Sequence, residues 1–290
     1  MTPVIFSDTN KPLRHLLAAS VLWIAAFGPG MTLQPGASAL AQDSAARLDE
    51  ALTGAHRLAA NQARDTFRHP KDTLLFFGLR PDMRVVEISP ANGWYTEIIA
   101  PVVRDHGQFY GASPRLGNNA PEAMKKREAA YQTMLAANPA VYGHAKAVTY
   151  DPAAPVFAPA ASVDLVVTFR NVHNWAKAGN ADAMFEGFYA ALKPGGVLGV
   201  VEHRARPGTS LQQQINAGYM SEATVIELAR KAGFGLAAQS DINANPLDTT
   251  DHPGGVWNLP PNLRGISEAD KPQYLAIGES DRMTLKFVKP

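Results

Sequence analysis

Short apolar runs that end in polar or acidic residues recur from residue 83 onward, and segments with helical spacing separate them. In the first run Met83, Val85, Val86 and Ile88 are bulky and apolar and Glu87 stands near the carboxyl end, the composition of a strand covered on both faces. Residues 107–113 read as a second strand, 146–150 as a third, and 163–169, with its run D-L-V-V-T-F, as a fourth. A helix over 181–192 follows and is closed by Lys193-Pro194-Gly195-Gly196, because glycine ends a helix and proline cannot continue one. A fifth strand over 197–201 leads into Glu202-His203-Arg204. Then come a helix over 221–233 with Ser221 at its cap, a sixth strand over 234–239 and a last strand over 283–288. Strands alternating with helices predict a doubly wound, mostly parallel α/β sheet with helices on both faces.

Three stretches fall outside this alternation. Residues 44–67 are rich in alanine, with Leu48, Leu52 and Leu58 at helical spacing, and predict one amphipathic helix; a second helical piece covers 70–79. An insertion over 116–144 separates the second and third strands and contains a helix over 122–136 whose Lys125, Lys126 and Arg127 mark either a solvated face or a lid. The segment 251–261, D-H-P-G-G-V-W-N-L-P-P, is too long and too aromatic for a simple hairpin and reads as a pocket cover.

The run from Met83 to Val103, M-R-V-V-E-I-S-P-A-N-G-W-Y-T-E-I-I-A-P-V-V, sets a tight turn between a buried strand and a helix, the entrance to a nucleotide-type site. It resembles motif I of the class I S-adenosylmethionine-dependent methyltransferases, where glycines follow an acid at the second, fourth and sixth positions. Here those positions are Ser89, Ala91 and Gly93, so two of the three glycines are replaced. L-K-P-G-G-V-L resembles the turn before the fifth strand of that class. R-H-P-K-D-T-L-L-F-F-G-L-R-P-D-M-R-V-V-E-I followed by G-W-Y-T-E resembles an exported bacterial subgroup of predicted methyltransferases. The resemblance implies a seven-stranded, Rossmann-like methyltransferase fold over residues 73–290, with 283–288 as an antiparallel edge strand, and a helical extension over 42–72.

It also implies S-adenosylmethionine as cofactor and a set of residues for it. Glu87 would offset positive charge, Ser89, Ala91 and Gly93 would form the loop beneath, and N–H groups opening the next helix suit a carboxylate. Asp151 follows the third strand, where the class contacts the adenine amino group; Arg170 and Asn171 follow the fourth, against the cofactor. The class ends its second strand with an acid for the ribose hydroxyls, whereas Gly111-Ala112-Ser113-Pro114-Arg115 leaves only Ser113 for a weaker contact.

The implied reaction is methyl transfer to a small-molecule or envelope acceptor, an in-line displacement in which the protein aligns the partners and excludes water. A hydroxyl acceptor needs a base as well. His173 and His203, each just beyond a central strand, are the candidates, with Glu202 placed to orient one of them. These groups and Asp251-His252 have metal-binding donor types, but no H-E-x-x-H spacing supports a site and no metal is expected. The replaced glycines and the missing acid keep a second reading open: a ligand-binding or sensing protein that retains the fold without turnover.

Charge and composition narrow the partners. The first 41 residues carry Lys11 and Arg14 against Asp8, and beyond them basic and acidic side chains balance, so nothing points to the basic face a nucleic-acid binder needs and no such partner is expected. Lys11, Arg14 and His15 precede an apolar run over 16–27, and Gly28-Pro29-Gly30 interrupt it well short of the ~20 residues a membrane span needs. Ala39-Leu40-Ala41 before Gln42 is a small-x-small cleavage site. Residues 1–41 therefore predict a secretory signal peptide, and a periplasmic or secreted mature protein with no retained span. The chain has no cysteine, so a lipobox, a disulfide and a thiolate metal site are all excluded.

Overall fold

A computed structural model describes residues 35–290, with side chains from residue 42; the predicted leader lies outside the described residues apart from its last positions, which open the first helix. Where the sequence predicts one helix over 44–67, the chain forms α1 (Pro35–Thr53) and two single turns, α2 (Ala59–Gln62) and α3 (Asp65–Arg68). The break comes at Gly54, and the buried Arg57 folds back over it, donating to Leu52 O at 3.2 Å and pairing with Asp65 at 2.6 Å. α4 (Pro70–Phe77) begins on proline, whose missing N–H would be unpaired there anyway, and stops at Gly78 in the left-handed conformation.

The alternating part contains β1 (Arg84–Ile88), α5 (Thr96–Val103), β2 (Gln108–Pro114), α6 (Glu122–Ala137), α7 (Pro139–Tyr142), β3 (Lys146–Tyr150), β4 (Val163–Phe169), α8 (Val172–Ala178) and α9 (Ala181–Ala191). It continues with β5 (Leu192–His203), α10 (Leu211–Ala217), α11 (Glu222–Lys231), β6 (Gly235–Ser240), α12 (Lys271–Ile277) and β7 (Arg282–Val288). The strands form one sheet in the order β3-β2-β1-β4-β5-β7-β6. β1 to β5 pair in parallel, and β7 runs antiparallel to both β5 and β6.

Alternating side chains send each strand into two cores. On one face Val86, Ile88 and Val166 pack with Phe185 and Phe188 of α9; on the other Val85, Leu165 and Val167 pack with Ile98 and Ile99 of α5, Leu74 and Phe77 of α4, and Leu48 of α1. Burial of each such side chain contributes about 1.5–3 kcal/mol, so the helical extension is held by its own apolar face.

Two expectations about the sheet are corrected. β7 is not the edge strand: it inserts between β5 and β6, and its Met283, Leu285 and Phe287 are fully buried while β6 is largely exposed. An interior strand needs apolar side chains on both faces, and G-L-A-A-Q-S does not supply them. The Pro194-Gly195-Gly196 segment is not a separate turn either. α9 passes at Leu192 straight into β5, and those residues form an irregularity between the paired Leu192 and Val197. Ser221 does cap α11, its hydroxyl accepting from Thr224 N at 3.2 Å. Among the described residues no helix is long and apolar enough to cross a membrane.

Candidate active site

The carboxyl ends of β1, β2, β3 and β4 open onto two cavities on either side of the switch point where the strand order reverses, the usual ligand position in such sheets. The first, about 360 Å³, is walled by the ends of β1, β4 and β5, by Arg64 and Arg68 of the helical extension, and by Val256, Trp257, Pro260 and Pro261 of the expected pocket cover. The second, about 480 Å³, lies over the ends of β2 and β3 beneath α6. They share Ser89, Ala91, Arg127, Asn171 and Asn174, and so adjoin. Both volumes fall in the range of small-molecule sites.

The loop after β1 is the wall between them. Ser89 has φ 54°, Ala91 φ 56° and Gly93 φ 81°, so all three motif positions are left-handed although only one is glycine. A residue with a Cβ costs roughly 1–2 kcal/mol in that region. The loop is held there by Ser89 N donating to Ala112 O at 2.7 Å and by the Ser89 hydroxyl bonding to Tyr150 Oη at 3.2 Å. Strain of this kind persists where surrounding structure imposes it, and it gathers at ligand sites.

Glu87, almost wholly buried, lines the first cavity just before this loop. Burial raises its carboxyl to about 8, opposed by the Thr96 hydroxyl donating to Oε2 at 2.6 Å. The folded state thus keeps a proton that the unfolded chain releases near 4.5. Stability therefore falls as pH rises from the ordinary carboxylate value through about 8. Glu87→Gln should flatten that fall by about 3 kcal/mol, read by denaturant titration at mildly acidic and mildly basic pH; parallel profiles for the two proteins would contradict it.

Glu202, with no exposed surface, organises the other end of the first cavity. Its Oε2 accepts from Val172 N and His173 N, and its Oε1 from His203 N at 2.8 Å and His173 Nδ1 at 2.9 Å. The carboxylate fixes the His173 tautomer with hydrogen on Nδ1, and among the described residues the Nε2 lone pair has no partner. The His203 ring lies 5.4 Å from it, and its Nδ1 is hydrogen bonded to the Ser280 hydroxyl at 2.6 Å. Burial first, then the charges of His173, Arg170, Arg282 and Arg68, pull His203 well below 6.5, so it is neutral at pH 7. His173, Glu202 and His203 come close enough together to share a cation, but both Glu202 oxygens are already occupied by donors, which does not fit a ligand role. Asp251 and His252 are elsewhere, bonded to Arg206 and Asp248.

Most of the predicted residues converge here. Glu87, Arg170, His173 and His203 line the first cavity, Ser113 the second, and Ser89, Ala91 and Asn171 both; Glu202 stands behind His173. Two do not. Asp151 is exposed and its Oδ1 caps its own turn through Ala153 N at 2.9 Å, while Tyr150 and Pro152 on either side face the cavity. Gly93 lines neither cavity: a Cβ there would strike Met134, so its bareness makes room for α6. Gly111 does the same for Tyr131, whose hydroxyl lies 3.2 Å from that of Thr96.

Sequence reasoning missed three groups. Arg64 and Arg68 come from the helical extension and meet Glu279 just before β7. Burial would push Glu279 up, but Arg68, Arg282, Arg64 and Arg170 together hold it at about 2. Glu128 of α6 lines the second cavity with Ser113, bringing an acid to a strand end that has none of its own. The signals were there: Arg57, Arg64 and Arg68 recur at helical spacing in the sequence, and the insertion carries Arg127-Glu128.

No family model matches the sequence, and no curated protein is similar enough to count as a relative. Among solved structures the chain is similar to the [4+2]-cyclase SpnF, with 16% identity, 86% of this chain and 93% of that one covered, and a TM-score of 0.55. It is also similar to a candidate sarcosine dimethylglycine methyltransferase from Galdieria sulphuraria, with 14% identity, coverage of 77% and 84%, and a TM-score of 0.50. A SAM-dependent methyltransferase from Aquifex aeolicus shares 17% identity over 62% of this chain and 87% of its own, at 0.48. These identities show the fold, which is the seven-stranded, Rossmann-like fold of the class I methyltransferases.

Proposed function

We propose that the protein is an S-adenosylmethionine-dependent methyltransferase, exported, acting on a small-molecule or envelope acceptor. The fold alone does not carry this, since a neighbour with the same fold is named a cyclase. The observation that carries it is the loop after β1, which keeps left-handed backbone at Ser89 and Ala91, where the methyltransferase motif has glycine, along the seam of two adjoining cavities. Export rests on the leader read in the sequence.

In this reading the cofactor spans the seam. Glu87, Ser89, Ala91 and Asn171 hold its amino-acid side, and Ser113 with Glu128 offers the ribose the acceptor atoms that β2 lacks. Tyr150 replaces Asp151 at the base. When bound, S-adenosylmethionine supplies an electrophilic methyl group on a sulfonium. The chain's own contribution is a proton acceptor in the first cavity. His173 suits that role because Glu202 fixes its ring through Nδ1, whereas burial, and then the surrounding positive charge, keep His203 neutral. His203 is the positioning group, a neutral imidazole tied to Ser280.

The test is transfer of labelled methyl from S-adenosylmethionine into a small-molecule extract of the cell envelope by the mature protein. A labelled product that depends on wild-type protein, and that falls roughly a hundredfold or more in His173→Ala, is expected. Binding of S-adenosylhomocysteine without any labelled product would favour the sensing reading instead.

A further inference from the structure

We infer that the first cavity seats an acid group of the acceptor, a carboxylate or a phosphate, on the guanidinium groups of Arg68 and Arg170. The anion site stands on geometry; calling its occupant the acceptor rests on the methyltransferase reading above.

Four arginines face one carboxylate. Arg64 Nε lies 2.6 Å from Glu279, Arg68 Nε 3.1 Å and Arg282 Nη1 3.2 Å. Arg282 is otherwise satisfied, donating to Ser280 O and Phe67 O. Arg68 is not: its side chain is 1% exposed, its guanidinium lies over the Trp94 ring at 4.5 Å, and its Nη2 has no partner. Arg64 Nη2 is equally bare. Arg170 stands in the left-handed region at φ 63° and reaches the cavity with a guanidinium that makes no hydrogen bond or ion pair among the described residues.

Arg68 and Arg282 are buried, Arg64 and Arg170 are half-buried, and the single carboxylate of Glu279 cannot neutralise four cations crowded around it. Burial first, then the neighbouring Arg170 charge, bring Arg68 down to about 9, as expected of crowded positive groups. Paired N–H donors of arginine match a carboxylate or phosphate in both charge and shape. The cofactor has a carboxylate too, yet S-adenosylmethionine carries net positive charge and adds to the excess instead of relieving it. An anionic acceptor relieves it. Because His173 lines the same cavity, acid group and reacting hydroxyl would share one chamber, which selects acceptors that carry both.

Calorimetric titration of the mature protein with inorganic phosphate and with benzoate, at low ionic strength, tests this. Wild type should bind both, and binding should persist when S-adenosylhomocysteine is saturating. Arg170→Met should weaken the anions at least tenfold and leave S-adenosylhomocysteine within about threefold; it should fold, because that guanidinium holds no protein partner. Arg68→Met should act in the same direction, with its thermal melt checked for folding. Failure of wild type to bind either anion would overturn the inference. So would displacement of the anions by S-adenosylhomocysteine with a matching loss of its affinity in Arg170→Met, which would give the arginines to the cofactor. Anion binding without S-adenosylhomocysteine binding would leave the anion site standing and remove the methyltransferase reading.

Discussion

Replacing Glu279 with glutamine should cost the fold about 3–5 kcal/mol at neutral pH, the range for removing one partner from a buried ionic cluster. Its carboxylate is 5% exposed and, among the described residues, is the one anion bonded by Arg64, Arg68 and Arg282. Those bonds join the helical extension to the start of β7, so their loss should loosen the extension before the sheet. The pH dependence has a definite sign. Glu279 is held at about 2, below its ordinary value, so its contribution is complete above the ordinary carboxylate range and disappears as pH falls through about 2. The gap between wild type and Glu279→Gln in thermal melts should accordingly be widest near neutrality and close under acid. An unchanged melt at neutral pH would mean that the cluster does not hold the extension.

Glu202→Gln should be the next most damaging change, at about 2–4 kcal/mol, because four donors converge on two oxygens and an amide presents only one acceptor atom. The variant must leave buried N–H groups facing an NH₂. Its effect on His173 can be separated from the effect on stability. Nitrogen-15 spectra of the wild type should show His173 with hydrogen on Nδ1, and the variant should lose that preference. If the tautomer were the same in both, Glu202 would be a structural acceptor for Val172 and His203 alone, and His173 would lose its claim as the base.

The central strands were legible because both faces of the sheet are covered, so each strand is an apolar run long enough to stand out. β3 and β4 match their predicted bounds. The helices that escaped, α7, α8, α10 and α12, have seven residues or fewer, too few for periodicity to show. The place of β7 was hidden for another reason. Order within a sheet depends on which strand can be buried on both sides, a comparison between 235–240 and 282–288 and not a property of either. In the site, the fold gathers the strand-end residues Glu87, Ser89, Ala91, Arg170, His173 and His203 around one cavity, because strand ends meet at the crevice of such a sheet. Asp151 stands apart from both cavities because an aspartate beside a turn readily caps its own backbone. Arg64 and Glu279 are 215 positions apart, and nothing local in either segment announces the other.

S-adenosylmethionine binding is proposed at the seam between the two cavities, on a left-handed loop with a serine and an alanine in place of glycines. The most direct measurement is calorimetric titration of the mature wild-type protein with S-adenosylmethionine and S-adenosylhomocysteine, alongside a Glu128→Ala variant. Saturable, one-to-one binding of both ligands to the wild type is expected, with about tenfold weaker binding to the variant. A folded wild type that binds neither would contradict the proposal.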